Sequence, residues 1–162
     1  MCEGLLIFSI SCLTAAGVLL VYEILCGLFK ITKWETRVPY TVLCRETVYF
    51  CGSILSQNKI KFYPEVRISY YKHKKYLGVF NGVIVIYVKK HEDIATLVNT
   101  VLHEVRHYMQ SKTDKQYNRY DEFLLNLGYW NNPLEKDARN FAEQHCNKAL
   151  AYLESKGLIE KA

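Results

Sequence analysis

The chain has 162 residues, 50% of them hydrophobic, 14% aromatic and 23% charged, with only three prolines. This composition excludes a disordered or collagen-like chain, and the length suits one compact domain while leaving too little for two full ones. A formal net charge of +5 is too modest to assign a nucleic-acid partner by itself.

The apolar residues are unevenly spread. Residues 5–22 (LLIFSISCLTAAGVLLVY) carry no charge, and after Glu23 the apolar run resumes to Phe29. Twenty-five helical residues span roughly 37 Å, enough for a hydrocarbon core of about 30 Å. Lys30, Lys33, Trp34 and Arg37 form an aromatic and basic border after the run. No positive stretch precedes it and no small-residue cleavage site closes it, which disfavours a signal peptide. The expectation is a membrane anchor over residues 5–29, within an N-terminal region 1–37, followed by a folded domain over 38–162 on the cytoplasmic side. The alternative is a helix buried in the domain. The six cysteines, Cys2, Cys12, Cys26, Cys44, Cys51 and Cys146, show no metal-ligand spacing and sit mostly among aliphatic residues, which reads as free thiols used as small hydrophobes.

In the domain, Val42, Leu43, Val48, Tyr49, Ile54 and Leu55 recur at helical spacing and predict a helix over 41–56. Val66, Ile68 and Tyr70 alternate with polar positions as a strand. A second strand over 76–80 leads through Asn81-Gly82, a tight-turn dipeptide, into a third over 83–88. This last strand is expected at a sheet edge, open to pairing with an extended peptide.

From Ile94 the period becomes helical, with Leu97, Val98, Val101, Leu102, Val105 and Tyr108 on one stripe and Glu92-Asp93 as a start signal. A polar connection over 111–121 and a short helix over 122–127 follow. Asn132-Pro133 then marks the start of a last helix, which Gly157 is placed to end near residue 155.

The strongest chemical signal is His103-Glu104-Val105-Arg106-His107. Residues four apart on a helix share a face, so both imidazoles can hold one metal ion, with Glu104 rotated to address a water beside it. A pair of surface histidines is the bland alternative, but the aliphatic neighbours make this a buried helix, where unpartnered imidazoles are costly. A zinc site needs a third protein ligand. The candidates are Asp114, Asp121, Glu122, Glu135, Asp137, Glu143 and His145. Glu135 stands out in the first turn of the last helix, with a small alanine one turn beyond it that permits close helix approach. Asp137 is the alternative, as ligand or as partner of a histidine.

His-Glu-x-x-His on one helix with Glu-x-x-Ala-x-x-Phe-Ala on the next resembles the short gluzincin-type zinc peptidase domains, the minigluzincins, over about residues 59–148. The resemblance implies an α+β zincin-like domain with a short sheet, an active-site helix and a C-terminal ligand helix. It further implies zinc bound by His103, His107 and Glu135, Glu104 as catalytic base, and a peptide or protein substrate. One departure is Arg139, four residues after Glu135, where such families often carry an orienting Asp or Asn; Asp137 or Asn140 is the substitute. Arg106 inside the motif, where an uncharged residue is usual, is another, and it is expected on a solvent-facing edge. Tyr108, Tyr117, Tyr120, Tyr129 and His145 are candidate oxyanion donors. The departure at Arg139 also motivates a second function, a non-catalytic regulatory or binding module built on the same scaffold.

A competing feature is the basic, tyrosine-rich stretch 59–76, with six Lys or Arg against one Glu. It suits nucleic acid, anionic lipid, or simply the solvated face of a hairpin.

Overall fold

The apolar stripe that begins at Ile94 becomes the axis of the domain. In chain order the elements are β1 (Trp34–Glu35), α1 (Tyr40–Ser56), β2 (Val66–Ser69), β3 (Gly78–Asn81), β4 (Val83–Tyr87), α2 (Ile94–Thr113), α3 (Tyr120–Asn131), α4 (Pro133–Ser155) and β5 (Glu160–Lys161). Short 3-10 turns occupy Val88–Lys90 and Lys115–Arg119. The computed structural model describes residues 33–56, 64–71 and 73–162. Lys33–Ala162 forms one compact α+β unit, mostly helical with small sheets. The anchor expected over 5–29, Lys30, Cys2, Cys12 and Cys26, the start of the basic stretch at 59–63 and Lys72 lie outside the described residues. Among the described residues no helix is long and apolar enough to cross a membrane.

Helix α2 starts at Asp93, whose carboxylate accepts the Thr96 amide at 2.6 Å. Its Ile94, Leu97, Val98, Val101, Leu102, Val105 and Met109 side chains are all buried. Each contributes about 1.5–3 kcal/mol relative to exposure. Tyr108, expected on the same stripe, is only partly buried. The helix continues to Thr113, through the start of the expected polar connection.

Helices α1 and α4 cover α2 with Leu43, Cys44, Cys51, Phe141, Ala142, Ala149, Leu150 and Leu153. Cys44, Cys51 and Cys146 are free thiols, and burial raises Cys44 and Cys51 to about 12, so they act as packing groups. Helix α4 is capped by Asn132, which accepts the Leu134 amide at 3.0 Å with Pro133 at the first position. It ends at Gly157, in the left-handed region at φ +66, with the Leu158 amide closing on the Leu153 carbonyl at 3.1 Å.

The three-stranded sheet has the order β2-β4-β3. β3 and β4 form the expected hairpin about Gly82 at φ +74, with Asn81 opposite Val83. β2 lies parallel to β4, Val66 opposite Ile84 and Ser69 opposite Tyr87. This corrects one expectation. The strand after Asn81-Gly82 is central, its Ile84 and Ile86 fully buried, and the outer strands are β2 and β3. Period-two alternation fixes which face is buried but not which strand becomes the neighbour. A separate two-stranded ribbon, β1 with β5, ties Trp34 to Lys161.

Candidate metal centre

Three side chains from two helices converge. His103 and His107 stand one turn apart on α2, and Glu135 projects from the first turn of α4. The helices meet closely here because Ala138 and Ala142 of α4 are fully buried. His103 Nε2 lies 3.1 Å from His107 Nε2 and 3.2 Å from Glu135 Oε2, and His107 Nε2 lies 3.3 Å from Glu135 Oε1. Taking one ligand atom from each residue, all three fall within 4.8 Å of one another. Tetrahedral zinc with bonds of about 2.0–2.1 Å requires ligand atoms about 3.3–3.4 Å apart, so the separations suit it.

Hydrogen bonding sharpens this fit. His107 Nδ1 lies 2.8 Å from Gln110 Oε1, while the Gln110 amide nitrogen donates to the Leu134 carbonyl at 2.9 Å and to Asp137 Oδ2 at 2.7 Å. The amide oxygen must therefore face the imidazole. Nδ1 carries the proton, and the Nε2 lone pair points into the cluster. Glu135 Oε2 is buried and accepts no hydrogen bond. Lone pairs thus face one another in a nearly dry space, an arrangement that a cation or a proton relieves.

The electrostatics agree. Burial opposes ionisation of Glu135, but the adjoining His103 and His107 rings and the Tyr120 hydroxyl outweigh it and hold the carboxyl well below its ordinary range. Burial lowers His103 and leaves it net lowered; His107, also opposed by burial, is net raised by Glu135 and Glu104. The two imidazoles are pushed in opposite directions beside one carboxylate.

Glu104 is 6% exposed, and burial raises its carboxyl to about 7, with the backbone amide of Phe80 a smaller opposing influence. That amide belongs to β3, which runs against α2. Gly78 makes the approach possible. A Cβ there would sit 2.8 Å from Thr100 Cγ2, 3.0 Å from Glu104 Cγ and 3.1 Å from Glu104 Oε1. The space beside the cluster is walled by aromatic rings. Phe80 lies 5.9 Å from Tyr108 and 6.3 Å from Tyr117, and Tyr120 is 5.8 Å from the His107 ring.

The other residues singled out from the sequence fall elsewhere. Asp137 is not in the cluster: Arg106 grips it with Nε at 2.7 Å and Nη2 at 3.2 Å, and it reaches His107 only through Gln110. Arg106, expected on a solvent-facing edge, is half-buried in that pair and lies over Phe141. Asp114 caps the turn that follows α2, Glu122 pairs with Arg119, and Asp121, Asn140 and Glu143 are exposed. His145 packs on Phe141 with a centroid distance of 4.5 Å. Among the tyrosines, Tyr120 donates its hydroxyl to Glu135 Oε1, and burial with the neighbouring Glu135 raises Tyr129 to about 12. Arg139 donates to the Trp130 carbonyl at 2.9 Å and lies over Tyr129 and Trp130, and its charge is a minor influence that lowers His103.

Three contributors were not singled out from the sequence: Gln110, Gly78 and Phe80. Two carry a signal. Gln110 is three residues, one helical turn, beyond His107, where a partner for its second nitrogen belongs, and an isolated glycine inside a strand pattern marks close backbone approach.

A family model described as "Protein of unknown function (DUF3920)" matches residues 40–152. The chain belongs to that family. The DUF3920 match runs from the first residue of α1 to Tyr152, near the end of α4, and includes His103, Glu104, His107, Gln110 and Glu135. No curated protein and no solved structure matches the chain.

Proposed function

We propose that this member of the DUF3920 family is a zinc metallopeptidase of the short gluzincin type, held at a membrane by residues 5–29 with its domain on the cytoplasmic side. The observation that carries the reading is the convergence of His103 Nε2, His107 Nε2 and the Glu135 carboxylate at 3.1–3.3 Å. Bound there, zinc would act as a Lewis acid, polarising a scissile carbonyl and acidifying water.

The chain's own residues supply the rest. Glu104, buried and raised to about 7, is matched to accept a proton from water near neutral pH and to return it to the leaving amine. Gln110 keeps His107 in the tautomer whose Nε2 is a ligand. Tyr120, through its hydroxyl on Glu135 Oε1, orients the third ligand. An extended substrate pairs with the outer edge of β3, the strand whose Phe80 amide already addresses Glu104.

The test is metal content and hydrolysis measured together on the full chain. About one zinc per chain is expected, lost in His103→Ala and His107→Ala, while Glu104→Gln retains the metal and loses hydrolysis of a fluorogenic peptide mixture. Purification without stoichiometric metal under chelator-free conditions sinks the proposal. Metal retention with no hydrolysis in the unsubstituted chain favours instead a regulatory module on the same scaffold.

A further inference from the structure

At the end of the domain where α2 begins, lysines from separate parts of the sequence come together. Lys74 and Lys75 belong to the loop between β2 and β3, and Lys89 and Lys90 to the turn after β4. Lys74, Lys75 and Lys89 are exposed and Lys90 is half-buried. Loop and turn are bound to each other: the Lys90 ammonium donates to the Lys74 carbonyl at 3.3 Å, and the Tyr87 amide to the Leu77 carbonyl at 2.9 Å. His73 organises the loop. Its Nδ1 accepts the amides of Lys75 at 3.2 Å and Tyr76 at 3.0 Å, and its ring stacks against Tyr76 and packs against Tyr87.

Among the described residues, none of these four lysines pairs with a carboxylate. In the same loop Tyr71 and Tyr76 are 65% and 42% exposed. The face carries lysines and tyrosines on a loop and turn that are bonded to each other, with the exposed Glu92 and the helix-capping Asp93 following Lys90 in the chain.

The described unit also begins at this end. Gln110, late in α2, bonds the Leu134 carbonyl, and Cys146 Sγ lies 3.7 Å from the carbonyl of Ala95, so α4 runs antiparallel to α2 and returns to its start. Beyond α4, the Ala162 amide donates to the Lys33 carbonyl at 2.9 Å. Lys33 is the second lysine of the basic border, three residues after Lys30, and that border follows the apolar run of 5–29 in the sequence.

We infer that this lysine and tyrosine face docks on an anionic phospholipid surface. Lysine clusters in a chain that also carries a long apolar run are drawn to acidic headgroups, and tyrosine suits the interface because its ring is apolar and its hydroxyl wet. Nucleic acid is the other polyanion such a face suggests. Phosphate recognition on a nucleic-acid backbone favours the planar arginine fork, but the arginine of this sheet, Arg67, is already tied to Glu65 at 2.7 Å. The choice of lipid draws on the apolar run at 5–29 and is independent of the zinc reading.

The test uses the full chain with vesicles of phosphatidylcholine alone or with about 30% phosphatidylserine, the acidic lipid of such surfaces. Acetylation of each lysine is followed by mass spectrometry. On acidic vesicles Lys74, Lys75, Lys89 and Lys90 should label about fivefold more slowly than on neutral ones, the fold-change expected from roughly 1 kcal/mol per lysine. Lys115 and Lys136, near the opposite end of α2, should not change. The protection should vanish at about 1 M salt, where the screening length is about 3 Å. The Lys→Gln quadruple variant should lose the preference for acidic vesicles. Equal labelling on both vesicles overturns the inference, as does protection of the same four lysines by single-stranded RNA or duplex DNA but not by vesicles. Zinc content of the same samples is scored separately, so failure of this surface and failure of the metal reading are distinguishable.

Discussion

Replacing Gly78 by alanine tests the geometry around Glu104 without touching a ligand. The added methyl would lie 2.8 Å from Thr100 Cγ2 and 3.0 Å from Glu104 Cγ. Ordinary carbon contacts begin near 3.5 Å, so a relative movement of about 0.5–1 Å is forced. Thr100 cannot supply it. It is 8% exposed and β-branched on a helix, with its hydroxyl donating to the Thr96 carbonyl at 2.9 Å and lying 3.1 Å from His91 Nε2. Either β3 retreats and withdraws the Phe80 amide, or the Glu104 carboxylate swings aside. Overpacking of this size costs about 1–3 kcal/mol of stability. A displacement near 1 Å at a catalytic group costs about 100-fold in turnover. Urea unfolding, zinc content and hydrolysis of a fluorogenic peptide mixture, measured together, should show reduced stability, unchanged metal and much reduced turnover. Adding Thr100→Ser removes Cγ2 while keeping the hydroxyl and should restore at least half of the lost stability. A wild-type unfolding midpoint for Gly78→Ala, or simple additivity with Thr100→Ser, would refute the close approach.

Gln110→Ala should weaken zinc binding about 10- to 100-fold, because it releases the His107 tautomer; competition with a chromogenic chelator reads this directly. Tyr120→Phe removes the hydroxyl from Glu135 Oε1 and should lower zinc affinity by a smaller factor, about tenfold at most, with the fold intact by circular dichroism. Acid should destabilise the metal-free protein through Glu135. Its carboxyl is lower in the folded state than in the unfolded chain, so its contribution is fully present above the ordinary carboxylate range and is lost as pH falls through the depressed value. Glu135→Gln should flatten that acid limb in urea midpoints recorded from neutral to strongly acidic pH, and an unchanged slope would contradict the depressed carboxyl. Arg139→Ala should leave zinc content unchanged and loosen the end of α3, seen as faster amide exchange near Trp130, because its contacts are to Tyr129 and Trp130.

The features legible in the sequence were those set by neighbours within a turn or two. Asp93 and Asn132-Pro133 cap helices because a side-chain oxygen two or three positions ahead of free amides is a local relation. His103 and His107 share a face for the same reason. The alliance of Glu135 with them is nonlocal, yet the alanine one turn beyond it announced that α4 can come close, and both Ala138 and Ala142 are fully buried. The pairing of β2 with β4 had no such signature. Strands with alternating patterns accept any partner that buries the same face, so the strand expected at an edge became the middle one. The ribbon of β1 with β5 was invisible because two residues carry no period. Apolar composition misleads in α3 as well. Leu124, Leu125 and Leu127 read like core, yet this helix has no buried residue and Leu125 is 86% exposed.

The same distinction explains Arg139. By resemblance, an orienting group was expected on α4, four residues after Glu135. In this chain the position faces Trp130 instead, and the orienting contact to His107 comes from Gln110 on α2, one turn past the histidine it serves. Asp137 stands behind Gln110, itself neutralised by Arg106. The two departures in the motif are therefore separable. Arg106 balances the acid that fixes Gln110, whereas Arg139 holds the end of α3. Loss of Arg106 should accordingly reach the metal through Asp137, Gln110 and His107, a chain of hydrogen bonds each within 3.3 Å, and loss of Arg139 should not.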